Sequence, residues 1–191
     1  LIAEQLFSPC YIGGWSAAHY FGFTEQLFNT EFVMTTKKVH QRNLNLNGVR
    51  FKIKTITSKQ LFGTQNIWRG NNKIAVSDPT KTIVDGLHDP TVLGGVRMLG
   101  DILQAYMAST EFNVTKLINY ALEMDNSAIF KRLGFFLELL PDNKLTRQLL
   151  TTCKSQIKSG YSQLDPATSG KYLITRWNLW VPEKNWKLFF D

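Results

Sequence analysis

The spacing of hydrophobic positions changes along this chain, and the change predicts where strands give way to helices. Residues 74–76, Ile-Ala-Val, form a short apolar run that reads as the end of a buried strand. Asp78 followed by Pro79 has the form of an N-cap with proline at the first helical position. The helix predicted from there runs to about His88. Ile83, Val84 and Leu87 give it an apolar face, His88 suits its negative C-terminal end, and Asp89-Pro90 stops it. Lys81 and Asp85 are four residues apart and predict a weak ion pair on the helix surface.

Upstream, residues 2–7 read as the end of a helix halted by Ser8-Pro9. The pair Gly13-Gly14 precedes a helix over residues 15–20, with Gly22 as its exit. Ser16, Ala17 and Ala18 are small enough to let another backbone approach; tight packing is the simpler reading of this segment and a ligand pocket the alternative. Residues 32–35 and 49–55 read as strands. In the second, Val49, Phe51 and Ile53 alternate with Arg50, Lys52 and Lys54, so one face is apolar and the other carries three cations. Residues 61–68 form a further strand, turned through Gly70-Asn71-Asn72 into the strand ending at residue 76.

Beyond Pro90 the spacing becomes helical: Val96, Leu99, Leu103 and Tyr106-Met107; Val114, Leu117, Ile118, Ala121 and Leu122; Ile129, Leu133, Phe136, Leu137 and Leu140; then Leu145, Leu149, Cys153 and Ile157. Asn113, Asn126 and Asp142 or Asn143 stand where caps are needed. Residues 159–170 read as a loop, and residues 171–181 as a closing strand, apolar on both faces, that returns to the early sheet. The fold class predicted is mixed α/β (α+β): a small mixed sheet from the first half plus a C-terminal strand, packed with a multi-helix lobe. The parts are residues 1–90, 91–158 and 159–191, in one compact domain.

Composition adds a charge to this picture. Of 191 residues, 43% are hydrophobic and 19% charged, with a net charge of +7 and a pI near 9.4. No apolar run approaches the roughly 18 residues of a membrane span, so no membrane partner is expected. The basic balance favours a polyanion or an acidic protein surface. Lys37, Lys38, His40 and Arg42 lie on a polar loop with Asn43, Asn45 and Asn47-Gly48, and together with Arg50, Lys52 and Lys54 they form a candidate phosphate-contacting surface. The competing reading is a solvated strand face whose lysines discourage edge pairing. Cys10 and Cys153 belong to no C-x-x-C pair, which predicts reduced thiols in a cytosolic protein.

Candidate chemistry is sparse. No G-x-S-x-G elbow and no Walker loop occurs, and the three histidines lack metal-ligand spacing. Ser16 with His19, or Cys10 with any of the histidines, makes no persuasive catalytic set. A metal-dependent nuclease is the most serious enzymatic rival, since a basic α/β protein with several acids suits Mg²⁺ beside a phosphate. Its site would need paired acids and a lysine converging from adjacent strands. Here Asp78 reads as a cap and Asp85 as a helix-surface charge. The sequence therefore predicts no catalytic residues, no metal and no cofactor.

Two segments carry a family resemblance. Residues 11–26, with Tyr11, Gly13, Gly14, Trp15, Ser16, Ala17, Thr24 and Gln26, and residues 76–85, with Asp78, Pro79, Lys81 and Asp85, resemble in order and separation the AbiEi-type antitoxin and transcriptional-regulator family. Thr80 stands where that family often has Glu, and Gly86 where it often has an aliphatic residue. The resemblance implies a cytoplasmic, non-enzymatic part in a type IV toxin–antitoxin (abortive infection) system: countering a nucleotidyltransferase toxin and repressing its own operon. It also implies operator DNA as a partner, contacted mainly through a winged helix-turn-helix expected upstream of Leu1. Direct contact with the toxin and formation of a homodimer are left open.

Overall fold

The computed structural model describes residues 2–141 and 143–183. Helix α1 (Ile2–Phe7) leads into β1 (Cys10–Ile12), followed by α2 (Gly14–Tyr20), β2 (Thr30–Thr35), β3 (Asn43–Leu46), β4 (Val49–Thr55), β5 (Thr64–Arg69) and β6 (Asn72–Ser77). These six strands form one mixed sheet in the order β3-β4-β2-β1-β6-β5. Strand β2 runs antiparallel to β1 and parallel to β4, with Phe32 beside Lys52 and Met34 beside Lys54. Helices α3 (Pro79–His88), α4 (Val96–Ala108), α5 (Val114–Glu123), α6 (Ser127–Leu137) and α7 (Lys144–Ser155) follow, and β7 (Ser162–Gln163), β8 (Tyr172–Ile174) and β9 (Leu179–Val181) form a second sheet in the order β7-β9-β8. The fold is mixed α/β.

Local chemistry explains the helix starts. The side chains of Asp78, Asn113, Asn126 and Asn143 each accept a backbone N–H in the first turn of the helix that follows, as an N-cap should. Asn143, not Asp142, caps α7; Asp142 lies outside the described residues. Helix α3 spans the predicted residues, but it is buried all round from Pro79 to Leu87 rather than along one apolar stripe. Its neighbours are α2, α4, α5 and α6, so it forms the axis of the helical layer.

Three local expectations are corrected. Residues 43–46, expected in a loop, form strand β3, which pairs antiparallel with β4 through the Asn47-Gly48 turn; Asn47 and Gly48 both have positive φ. Asn-Gly favours a tight hairpin turn, and the short Leu-Asn-Leu alternation beside it supplied enough apolar surface for an edge strand. Residues 171–181 are not one strand. Asn178 takes a left-handed conformation that folds the segment back, pairing β8 with β9. This pair does not join the first sheet; it packs beneath α6, where Trp177 lies against Gly134. Finally, the strand expected over residues 61–68 begins at Thr64, after a 3-10 turn at Ser58–Gln60.

One apolar cluster runs from Tyr11 through Leu87 and Phe136 to Val181, so all three sequence parts share a core. A second, smaller cluster on the other face of the sheet holds Phe7, Val33, Phe51 and Ile53. Two helical glycines mark the tightest packing. A Cβ on Gly134 would sit 2.2 Å from the Trp177 ring, and one on Gly86 would sit 2.2 Å from Leu93. The absence of a side chain at Gly86 thus makes room for Leu93 and Leu99.

Replacing Gly86 with Ala sets helix propensity, favouring Ala by about 1 kcal/mol, against overpacking, costing about 1–3 kcal/mol. Gly86→Ala is expected to lower the urea midpoint; a raised midpoint would contradict the packing described.

Candidate functional site

The two resemblance segments meet in the protein interior. Lys81 is completely buried and its ammonium pairs with the carboxylate of Asp85, which is 5% exposed. The Tyr11 hydroxyl donates to the other Asp85 oxygen at 2.8 Å and accepts from the Lys81 ammonium at 3.2 Å. Lys81 also faces the Phe62 ring at 4.8 Å. Burial, reinforced by the Asp85 carboxylate, raises the Tyr11 pKa well above its ordinary value, so the hydroxyl stays a donor. The surface ion pair expected of Lys81 and Asp85 is therefore corrected to a sealed internal one. Helical spacing set the pair, but the sheet and the surrounding helices removed water from it.

Asp78 is equally committed. One oxygen caps α3 through the Lys81 N–H at 2.8 Å; the other accepts from Tyr120 Oη at 2.9 Å and from Lys116 Nζ at 3.0 Å. Thr80 shares a hydrogen bond of 2.8 Å with Tyr106, and Thr82 one of 2.8 Å with Ser77. At the other end of α3, Arg132 reaches the carbonyls of Leu87 and His88 at 2.7 and 2.9 Å, and those of Gln163 and Leu164 at 2.8 and 3.0 Å. Burial lowers its pKa to about 10, leaving it cationic at neutral pH. Tyr106, Lys116, Tyr120 and Arg132 were not among the sequence candidates. Only Arg132 left a signal, as part of a charged Lys131-Arg132 pair inside an apolar helix.

The rest of the first segment shapes backbone. Gly13 donates its N–H to Phe32 O at 3.0 Å, and Gly14, at φ +55°, lies so close to Val92 that a Cβ would sit 2.3 Å from its carbonyl oxygen. The close approach expected at Ser16, Ala17 and Ala18 is thus sharpest at Gly14, while Ala17 and Ala18 are buried and the Ser16 hydroxyl accepts the Phe32 N–H at 2.9 Å. Trp15 donates to Thr30 O at 2.8 Å and stacks on Phe28 at 4.8 Å. Thr24 and Gln26 form the turn beyond the α2 exit, the Gln26 N–H reaching Thr24 Oγ1 at 3.1 Å. Pro79 fills the first position of α3.

The cationic residues divide into two groups. Lys37 donates to Leu6 O of α1, whose Phe7 packs on the sheet face occupied by Phe51 and Ile53; Lys38 and His40 are exposed nearby in sequence. Arg50, Lys52 and Lys54 point to the opposite face. Lys54 is paired with Asp89, the Lys52 ammonium lies 5.1 Å from the Trp15 ring centre, and Arg42 joins them at a shallow cleft of about 300 Å³. Among the described residues, Arg42, Arg50 and Lys52 have no carboxylate partner.

No family model and no curated protein matches the chain. Among the described residues, no group of three His, Cys, Asp or Glu side chains could hold a metal ion, and no helix is long and apolar enough to cross a membrane. Asp78 and Asp85 instead take their donors from the protein itself. Cys10 and Cys153 form no disulfide, and burial pushes the Cys153 thiol up to about 12.

Because Lys81 and Asp85 are buried together, removing one partner strands a charge, a loss of roughly 3–5 kcal/mol. Lys81→Met is expected to destabilise strongly, and Lys81→Met with Asp85→Leu to recover part of that loss in denaturant unfolding. Equal damage from both variants would mean the pair is not the source.

His88 gives a pH prediction. Asn126 Nδ2 donates to its Nδ1 at 3.0 Å, and burial, with the Lys54 charge, lowers its pKa from 6.5. The folded state therefore favours neutral His88, and its contribution to stability is present above the unfolded pKa and lost as pH falls toward the folded one. Between roughly pH 7 and 5, the wild type should lose more stability than His88→Gln; parallel curves would exclude this role.

Proposed function

We propose that this chain is an antitoxin and regulator domain of a type IV toxin–antitoxin system, similar in kind to the AbiEi-type proteins. It counters a nucleotidyltransferase toxin without chemistry of its own and supports repression of its operon, in the cytoplasm. The observation that carries this reading is the meeting of Tyr11 with Lys81 and Asp85. The two segments that bear the resemblance belong to one buried network, which gives a physical reason for their occurring together.

Further support comes from how the acids are used. Asp78 caps a helix and holds Tyr120 and Lys116, and Asp85 holds Lys81 and Tyr11, so both carboxylates stabilise the interior. Recognition then falls to the outer surface. Arg42, Arg50 and Lys52 are suited to assist DNA binding, because they lie at neighbouring clefts beside β4 and no carboxylate among the described residues pairs with them.

Co-expression with the nucleotidyltransferase encoded beside it tests the proposal. Growth should be restored by the wild-type chain and lost again with Lys81→Met, which weakens the fold. Persistent toxicity while both proteins remain soluble would overturn it.

A further inference from the structure

The geometry points to a phosphate-binding subsite in the cleft between β4 and the turn that follows α3. Lys52 and Lys54 leave β4 on the face that Phe32 and Met34 occupy on β2. Asp89 and Thr91 reach over the strand, and the cleft is lined by Arg42, Asn43, Lys52, Lys54, Asp89 and Thr91 with Phe32 at its wall.

Its charge matches a phosphate. Asp89 is held by Lys54 and by the N–H and hydroxyl of Thr91 at 3.0 and 2.8 Å, so it occupies one of the three cations. Among the described residues Arg42 and Lys52 remain without a carboxylate, an excess of two positive charges that balances the charge of about −2 on a phosphomonoester near neutral pH. A guanidinium fork beside an ammonium point charge suits the several oxygens of such a group better than a single carboxylate.

The Lys52 charge is also held in place before any anion arrives. Its ammonium lies 5.1 Å from the Trp15 ring centre and 6.0 Å from that of Phe32. Trp15 is itself fixed by its bond to Thr30 O and its stack on Phe28. A cation resting on aromatic faces keeps its charge while giving up part of its water, which lowers the cost of meeting an anion.

The inference deepens the nucleic-acid part of the proposed function by naming the group recognised. Two sources share that chemistry, a terminal phosphate on a small ligand and a backbone phosphodiester. Amide NMR titrations of the whole chain at low salt with inorganic phosphate, with a nucleoside 5′-monophosphate and with a short DNA duplex separate them. Saturable shifts at residues 42, 43, 52 and 54 are expected, with Arg42→Gln and Lys52→Gln each weakening binding about tenfold and Lys73→Gln, on β6, leaving it unchanged. Response to the monophosphate alone identifies a terminal phosphate, and engagement of the same amides by the duplex identifies the backbone; either supports the subsite.

Absence of saturable shifts with all three probes would overturn it, as would wild-type affinity in both Gln variants when circular dichroism shows them folded. No toxin is present in these titrations, so failure of the subsite and failure of the antitoxin reading are told apart by the co-expression result.

Discussion

A helix buried on every side has to find partners inside the protein for each polar group it carries, and helix α3 imposes that condition here. Its first turn is satisfied by Asp78, its central lysine by Asp85 and Tyr11, and its last carbonyls by Arg132. Water would ordinarily serve the ends of a helix. Apart from Asp85, which belongs to α3, the substitutes come from elsewhere: Asp78 from the residue that follows β6, Tyr11 from β1 and Arg132 from α6. Satisfying one helix therefore fixes the positions of its neighbours.

Arg132 extends the same constraint to the C-terminal part of the chain. Its guanidinium joins the end of α3 to Gln163 and Leu164, and the adjacent Lys131 reaches Gly160 O at 2.7 Å. Two cations in an apolar helix thus hold the segment around β7, while Gly134 admits the Trp177 ring. The Trp177 Nε1 is the one buried side-chain nitrogen or oxygen among the described residues without a hydrogen-bond partner. Shape, rather than polarity, positions that indole.

Charge is consequently used in two ways. Inside, Lys81, Asp85, Asp78 and Arg132 are matched to donors and acceptors of the fold, and their replacement acts on stability. Outside, the net charge of +7 is carried partly by side chains such as Arg42 and Arg50 that face solvent and have no carboxylate partner among the described residues. Charges of the second kind are available to a partner. The Lys54–Asp89 pair sits at the boundary, half-buried, where the end of α3 meets β4.

Local chemistry was legible in the chain itself. Asp78-Pro79, Asn113, Asn126 and the pair Asp142-Asn143 announced helix starts because a cap is made within a few residues, and the alternation of residues 49–55 announced a strand because its period is local. The mixed α/β class followed from the change of period. Tertiary structure alone decided that α3 is surrounded, that Lys81 and Asp85 lose contact with water, and that Tyr11 and Arg132 complete what α3 lacks, since these depend on residues 44 to 74 positions apart. It also decided that Lys37 and Lys52 face opposite sides of the sheet, and that Asn178 turns the last segment back on itself. Spacing along a chain fixes which neighbours a residue has within its own element; which distant groups remove its water is settled only when the elements pack.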